Sequence, residues 1–277
     1  MHDLFIDEAG TSGAPHEPVS VVAGVVVPFE KRSLAIEVIQ TMIAQMVPPQ
    51  FRENFVFHAL ELMHNDDFRV GWPLLGPTGR LALLHSMMRI PMVMQLPIIW
   101  AAGQNAPTVA PEFLVHVSKA EFIHIVTFLS CIGTFNQYLT GANETGMVIV
   151  ENVIPVQTRL NYAFHMMKTK PFTMAVDYSD TRHVPELSPT TLEFNNARIK
   201  DNPYFLPKDA SPLMYLADAC AFGVRSFLSG AKHSDDYGRI IFGEPQMLRV
   251  RKHIATVSGG ITEWAIIGSS SDRTVAE

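Results

Sequence analysis

The sequence predicts an α/β protein built on a mixed β-sheet that is covered by helices. Two apolar runs lie close together near the amino end, as expected for a β-hairpin, and strand-like and helix-like segments alternate after them. The 277 residues are 47% hydrophobic and 17% charged, which suits one large core. We therefore expect a single domain over residues 1–268, with an irregular insertion around 48–77 and a flexible tail at 269–277.

The first half of the chain predicts a hairpin followed by helices and short strands. The apolar run 4–6 forms a buried strand, and the β-branched run 19–28 forms its partner. Residues 30–47 have a helical pattern that stops at two consecutive prolines. Further along we predict a short strand at 54–59, a helix from Thr78 to Pro91 and a strand at 95–103.

The second half alternates helices and strands. Ser118 and Glu121 have the spacing of a capping box and begin a long apolar helix. Ser211 caps a second long helix, which has Pro212 at its first position. Between these two helices we predict a buried strand at 146–152, a helix at 156–170 and a strand at 191–199.

Acidic residues stand at the carboxyl ends of two predicted strands. Asp7 and Glu8 follow the first strand directly, and Glu151 ends the strand at 146–152. Acids are common in ordinary turns after strands. In open α/β sheets, however, ligands bind outside the carboxyl ends of the strands. We therefore treat Asp7, Glu8 and Glu151 as candidate catalytic residues, and the small residues after Glu8 as room for a phosphate close to the backbone.

Asp218 lies on the last predicted helix, in the segment LMYLADACAFGVRSFL, which is apolar nearly all round. A buried carboxylate needs a cation, hydrogen-bond donors or a metal, because an unpaired one is costly. Arg225 is seven residues away and reaches Asp218 only in an extended conformation. Carboxylates are the ligands that Mg²⁺ prefers. Asp7, Glu151 and Asp218 therefore predict a site for Mg²⁺ or Mn²⁺, which suits phosphodiester cleavage.

Both ends of the chain resemble a known family. The segments FIDEAGTSG, GMVIVEN and YLADACAFGVRSFLSG are together similar to the domain of unknown function family 3800, which typically opens with I-D-E-S-G and closes with an L-A-D-A helix. The resemblance implies a ribonuclease H-like fold, a mixed sheet with helices on both faces, and a hydrolytic activity. It carries metal-binding roles to Asp7 and Asp218, and a second acid to Glu8. It also implies an acid after an internal strand, for which we choose Glu151. Ala9 departs from the usual serine, so a hydroxyl role at that position is lost.

A further acid, Glu61, follows the predicted strand at 54–59. Ribonuclease H-like enzymes often use a glutamate on the helix after the third strand, so the resemblance makes Glu61 a candidate metal ligand. His58 and His64 stand three residues before and after it, roughly on one helical side. The spacing differs from the H-E-x-x-H pattern of zinc enzymes. A surface or supporting role for Glu61 is the alternative.

Basic residues form three groups, and such groups are usually plain solvated surface. The first two groups follow the strands nearest to the acids, and from them we select Arg159, Lys168 and Arg198 as candidate substrate phosphate contacts. The remaining members are Lys170, Lys200, Arg249, Arg251 and Lys252. The polar stretch DYSDTRH, which holds Asp177, Asp180 and His183, predicts a solvated loop.

These residues support three hypotheses about function. The first is a metal-dependent phosphodiester hydrolase, a nuclease that acts on DNA or RNA with Mg²⁺ or Mn²⁺ as cofactor. The second is an actin-like or sugar-kinase-like ATP-binding protein, because DEAGTSG is similar to a D-x-G-T phosphate loop and SGGIT near Ser258 to a second glycine-rich loop. The third is a non-catalytic ribonuclease H-like binding module, in which the acids are structural.

Composition limits the partners and the location of the protein. A net charge of -6 argues against wholesale coating of a polyanion, although a local basic groove is compatible with it. Cys131 and Cys220 lie in apolar runs, which predicts buried free thiols in a reducing compartment. The apolar run around residues 91–103 is shorter than the ~20 residues of a spanning helix, and no secretory signal is visible. We expect a cytoplasmic protein without a membrane partner, whose helix surfaces permit a homodimer.

Overall fold

The structure is a computed structural model that describes most of the chain. The described residues are 1–11, 19–64, 72–104, 118–169, 172–176, 190–194, 196–243 and 257–262. Their strands are β1 (His2–Ala9), β2 (Val19–Pro28), β3 (Ile98–Gln104), β4 (Gly146–Glu151), β5 (Phe172–Val176), β6 (Thr190–Phe194), β7 (Tyr204–Leu206) and β8 (Val257–Thr262). Their helices are α1 (Arg32–Met46), α2 (Ala59–His64), α3 (Trp72–Met94), α4 (Lys119–Gly141), α5 (Ile154–Thr169), α6 (Leu213–Leu228) and α7 (Ser234–Phe242).

Six of these strands form a mixed sheet in the order β7-β4-β1-β2-β3-β8. Antiparallel pairing joins β1 to β2, β2 to β3 and β3 to β8, whereas β1 is parallel to β4 and β4 is parallel to β7. β5 and β6 form a separate antiparallel pair. The predicted α/β class with a mixed sheet is therefore confirmed. Because β1, β4 and β7 are parallel, their carboxyl ends lie at the same end of the sheet.

The predicted hairpin of β1 and β2 forms the centre of the sheet. The two strands pair from His2 opposite Pro28 to Ala9 opposite Val21. β2 has a strand on each side and is buried at every one of its residues. A strand buried on both faces is a nearly continuous apolar run, as β2 is in the sequence. Its one polar residue, Ser20, donates its hydroxyl to the Gly10 carbonyl.

The sheet separates two hydrophobic cores, and helices cover both faces. Side chains alternate along β1, so Phe5 enters the first core whereas Leu4 and Ile6 enter the second. The first core is closed by residues of α1, α2, α3, α6 and α7. The second core is closed by residues of α4 and α5.

α4 is the long apolar helix that the capping-box spacing predicts. The Ser118 hydroxyl accepts a hydrogen bond from the Glu121 backbone N–H, and the Glu121 carboxylate accepts one from the Ser118 N–H. Within the described residues, Ala120–Gly141 is the one helical stretch long and apolar enough to cross a bilayer, and 72% of its 18 most apolar consecutive residues are buried inside the protein. Its burial is that of a core helix.

The predicted strand at 54–59 is wrong. This segment has no strand pairing, and α2 begins at Ala59. Phe55 and Phe57 instead pack against the ring of Tyr215 on α6, and the Tyr215 hydroxyl donates to the Phe55 carbonyl. Aromatic packing on a helix has therefore replaced the backbone pairing that the alternating pattern suggested.

Two further segments differ from the sequence prediction. α3 does not stop at Pro91 but continues to Met94, and it starts before Thr78, with non-helical backbone at Gly76. The segment SGGIT, expected as a glycine-rich loop, belongs to β8 and pairs with β3 at the sheet edge. Strands β2 and β3 separate it from β1, and the second of the two loops on which the ATP-binding hypothesis relied is therefore a strand.

Part of the expected insertion at 48–77 is described. It contains a 3₁₀ turn at Pro49–Phe51, the irregular segment before α2, α2 itself and the start of α3. Residues 65–71 and the expected tail at 269–277 lie outside the described residues. The single-domain assignment stays a prediction.

A methyl group added at Gly24 tests the close packing of the central hairpin. It would lie 2.7 Å from Cδ1 of Leu4 and 2.7 Å from the Phe5 carbonyl oxygen. We expect Gly24→Ala to lower the free energy of unfolding by about 1–3 kcal/mol, because the core has no room for the extra carbon. Urea denaturation measures this. Gly141→Ala is the control, since a methyl group there meets no atom within 4 Å. Equal stability of the two variants would contradict the packing.

Candidate functional site

Strand register brings Asp7 and Glu151 together. β1 and β4 are parallel with Ile6 opposite Val150, so the next residues along both strands lie side by side. Both acids point to the face of the first core, because Phe5 and Ile149, two residues earlier, belong to that core. Their carboxyl groups are within hydrogen-bond distance of each other.

Asp218 approaches the same point from α6, which packs across β1 and β2 on this face. Its carboxylate is buried, and Oδ2 accepts a hydrogen bond of 2.9 Å from the backbone N–H of Ala59. The irregular segment that ends in His58 therefore places the first N–H of α2 against this acid. His58 itself lies close to both Glu151 and Asp218.

The ammonium group of Lys208 occupies the centre of these acids. Its Nζ lies 2.9 Å from Oδ2 of Asp7, 3.1 Å from Oε2 of Glu151 and 3.3 Å from Oδ2 of Asp218. The side chain is 8% exposed. Lys208 arrives here because β7 is parallel to β4 and pairs Leu206 with Glu151, two residues before the lysine. We call Asp7, Glu151, Asp218 and Lys208 the carboxylate–lysine cluster.

Sequence analysis missed Lys208. Its strand, β7, has only three residues, too few to give a clear alternating pattern. The lysine itself stands in a polar turn between Pro207 and Pro212, where a basic residue suggests solvated surface. The available signal was the need of buried Asp218 for a cation, and Arg225 was the nearest basic residue along the helix.

Burial and mutual repulsion set the protonation of the cluster. Burial raises the pKa of Asp7, and the charge of Asp218 raises it further. Burial also raises the pKa of Asp218. For Glu151, burial favours a higher pKa, but the hydrogen bond with Asp7 and the charge of Lys208 outweigh it. The pKa of Glu151 is therefore lowered. The pKa of Lys208 is raised, because the three acids outweigh the effect of its burial. The opposite directions of the two shifts favour the protonated form of Asp7 over that of Glu151, beside a charged lysine.

Glu8 lies apart from the cluster, on the opposite face of the sheet. β1 continues to Ala9 in register with β2, so the turn that would bring Asp7 and Glu8 together does not occur. Oε2 of Glu8 lies 2.5 Å from Nε2 of buried His124 on α4. The expected role of Glu8 as a ligand or base beside Asp7 therefore finds no support in the geometry.

Glu61 is also outside the cluster. It is exposed on α2, two residues after Ala59. No described contact joins its carboxylate to Asp7, Glu151 or Asp218. His64 at the end of α2 is likewise exposed, so the expected metal role of Glu61 finds no support in its position.

Arg159 lies on the other side of the sheet. α5, which carries Arg159, closes the second core, whereas the cluster faces the first core. The guanidinium forms an ion pair with Glu121 at the start of α4. Arg159 is therefore already paired within the protein, on the face of the sheet that holds Glu8.

Lys168 and Arg198 lie near the amino end of β4, far from the cluster. The Arg198 carbonyl accepts a hydrogen bond from the Gly146 N–H, and Nζ of Lys168 lies 3.5 Å from the carbonyl oxygen of Lys200. Gly146 and Glu151 are the first and last residues of β4, so about 16 Å separates them. We do not retain Lys168 and Arg198 as contacts for a phosphate at the cluster.

Several other candidates fall outside the described residues. They are Lys170, Asp177, Asp180, His183, Arg249, Arg251 and Lys252.

The donor set of the cluster fits a hard divalent cation. Three carboxylates surround one point, and Oδ2 of Asp7 is buried without a well-directed hydrogen bond from a described donor. Among the described residues, no group of three or more His, Cys, Asp or Glu side chains is already arranged to hold a metal. The lysine ammonium stands where the cation would be, so a metal ion and Nζ of Lys208 compete for the same oxygens.

Removal of the lysine charge tests its place in the cluster. Lys208→Met leaves three buried acids without their cation, and we expect the free energy of unfolding at neutral pH to fall by about 3–5 kcal/mol. The pKa values of Asp7 and Asp218 then lie further above those of the unfolded chain, so the folded variant binds more protons. Its stability should therefore be greatest at mildly acidic pH and should fall as pH rises.

Urea denaturation of Lys208→Met between pH 5 and pH 8 measures this. Lys200→Met is the control, because Lys200 is exposed and outside the cluster. A Lys208→Met protein as stable as this control at pH 8 would show that the ammonium does not neutralise the acids.

The turn after β1 depends on Gly10. Its φ is +74°, and a methyl group there would collide with the Val19 carbonyl oxygen and lie 2.8 Å from Nε of Arg225. We expect Gly10→Ala to cost more than the about 1–2 kcal/mol of a left-handed alanine alone. Gly230→Ala is the matched control, since Gly230 has φ +68° but no atom within 4 Å of the added carbon. Thermal unfolding of both variants separates crowding from backbone strain, and equal losses would exclude crowding.

Comparison with known proteins adds no assignment to this geometry. No family model matches the chain, and neither the curated proteins nor the solved structures contain a significant match. The resemblance to the domain of unknown function family 3800 therefore depends on the quoted motifs alone.

Proposed function

We propose that this protein is a metal-dependent phosphodiester hydrolase, a nuclease acting on DNA or RNA, with a ribonuclease H-like fold. The observation that carries the proposal is the convergence of Asp7, Glu151 and Asp218 within 3.3 Å of one buried nitrogen. They come from three separated parts of the chain. A mixed sheet with helices on both faces, and a first strand that carries one of the acids, is compatible with the proposed fold.

Asp7, Glu151 and Asp218 are the residues that would hold Mg²⁺ or Mn²⁺. When bound, such an ion supplies charge stabilisation at the phosphate and lowers the pKa of a water molecule. Carboxylate oxygens are the ligands these hard ions select. Ala59 fixes Asp218 through its N–H, so that one oxygen of this acid has a set orientation before any ion arrives.

Lys208 has two tasks in this proposal. Without an ion, its ammonium keeps the acids together and prevents their mutual repulsion from opening the site. If an ion took these oxygens, the ammonium would be available to donate to a phosphate oxygen of the substrate. The short segment between β7 and α6 holds the lysine beside the site.

A non-catalytic binding module is the second candidate, and Lys208 is the observation in its favour. An ammonium buried among three acids neutralises them without any metal, so the cluster is also a plausible structural core. The two candidates differ in their response to metal. A nuclease site that binds Mg²⁺ or Mn²⁺ only when folded is stabilised by about 2.7 kcal/mol at a hundred times the dissociation constant.

Cleavage of single- and double-stranded DNA and RNA with Mg²⁺ or Mn²⁺ tests the proposal. We expect Asp7→Asn and Asp218→Asn each to lower the metal-dependent rate by at least about 100-fold, because each removes a charged oxygen ligand. Glu61→Gln is the control, since this exposed acid lies outside the cluster, and it should retain the wild-type rate. Metal-dependent thermal stabilisation, measured in parallel, should be lost in the two aspartate variants.

Two results would contradict the nuclease assignment. One is activity that survives the combined Asp7→Asn and Asp218→Asn substitutions. The other is a wild-type protein with neither cleavage nor any thermal shift on addition of Mg²⁺ or Mn²⁺, which would favour the binding module.

A further inference from the structure

The ammonium group of Lys208 directs its hydrogen-bond donors at the acids of the carboxylate–lysine cluster. An ammonium has three N–H donors. Nζ of Lys208 lies within 3.3 Å of one oxygen from each of Asp7, Glu151 and Asp218, so the three acids match the three donors. In this position the lysine has no further donor for a substrate, and the three oxygens that face it are closed to a metal ion.

Hydrogen bonds fix the backbone on both sides of Lys208. Before it, the Leu206 carbonyl accepts a hydrogen bond of 2.9 Å from the Asn152 N–H, directly after β4. After it, the Ala210 N–H donates to the Pro207 carbonyl at 3.0 Å and closes a 3₁₀ turn. These bonds hold the lysine backbone beside the acids, so a displaced ammonium would move by rotation of its own side chain.

A metal ion at the cluster and the ammonium of Lys208 would repel each other. The repulsion between two cations is strong at such a buried site, because the effective dielectric constant is lower there than in water. A metal ion that took the three oxygens would also leave the ammonium without its acidic partners, and a buried charge without a partner is costly. Both effects oppose the binding of a metal ion by itself.

The cluster opens to solvent on the side of Glu151. The side chain of this acid is 20% exposed, compared with 11% for Asp218 and 1% for Asp7. An anion that enters from solvent therefore meets Glu151 first. A phosphodiester has one negative charge and two non-bridging oxygens, so it can contact a metal ion and accept a hydrogen bond from an ammonium at the same time. It would thus pair the charge that the metal ion displaces.

We propose that Lys208 couples the binding of metal to the binding of phosphate at the cluster. Mg²⁺ or Mn²⁺ binds weakly alone, because it must displace the ammonium, and tightly together with a phosphodiester, which accepts the ammonium. The coupling is reciprocal, so the phosphodiester also binds more tightly when metal is present. The inference rests on the proposed function, since it takes Asp7, Glu151 and Asp218 as the metal ligands. It adds that the site takes up its metal together with its substrate.

Binding of Mn²⁺ to the full chain tests this coupling without a measurement of cleavage. The electron paramagnetic resonance signal of free Mn²⁺ gives the dissociation constant with and without dimethyl phosphate, a phosphodiester that has no base or sugar. Sodium chloride keeps the ionic strength equal, and a titration without protein corrects for Mn²⁺ bound by dimethyl phosphate itself. We expect dimethyl phosphate to strengthen Mn²⁺ binding to the wild type by about 5- to 150-fold, the usual size of coupling between two sites.

Removal of the ammonium should abolish the coupling. We expect Lys208→Met, at the same pH and without phosphate, to bind Mn²⁺ at least about tenfold more tightly than the wild type and to gain little from dimethyl phosphate, because it has no ammonium to displace. Lys200→Met is the matched control, since it removes the same charge from an exposed position outside the cluster, and it should retain the wild-type coupling. If Lys208→Met does not fold, absence of coupling in the wild type still overturns the inference.

The outcomes separate this inference from the proposed nuclease activity. Coupling that is present in the wild type and absent from Lys208→Met supports the inference, even if no nucleic acid is cleaved. Wild-type binding of Mn²⁺ that dimethyl phosphate does not strengthen overturns it, even if metal-dependent cleavage is established, and so does coupling that persists in Lys208→Met. A wild type that binds no Mn²⁺ under either condition contradicts both this inference and the proposed function.

Discussion

The ion pairing of Lys208 with three buried acids is the interaction on which the rest of the site depends. It joins the ends of β1 and β4, the turn after β7 and the middle of α6 at one point. Without a cation, the three carboxylates would repel one another in a setting where burial already disfavours their charged forms. The protein thus keeps acids together in the folded state by providing a positive charge of its own.

The same constraint gives the cluster its chemical character. Acids held close by an internal ammonium surround one positive charge, and in our proposal a metal ion would take the place of that ammonium. The backbone N–H of Ala59 donates to Asp218 independently of the ammonium. A buried charge group therefore serves both stability and chemistry in our proposal, whereas a purely structural core would need only the first.

The two acids of β1, Asp7 and Glu8, lie on opposite faces of the strand and have different surroundings. Asp7 joins the cluster under α6, while Glu8 contacts His124 under α4. Gly10, which follows them, lies against Val19 and the side chain of Arg225. The absence of a side chain at Gly10 thus serves the packing of α6 against the end of β1.

The sequence by itself determined the hairpin, the long capped helix and the acids at the strand ends. Each depends on local signals, namely apolar runs, a capping box and residues that follow a strand directly. Tertiary structure alone decided that Lys208 completes the site, that Glu8 leaves it, and that Lys168 and Arg198 lie at the far end of β4. The physical reason is that strand pairing and register bring together residues that are distant in the chain. A strand of three residues, such as β7, is also too short to show a periodic pattern from which its pairing could be predicted.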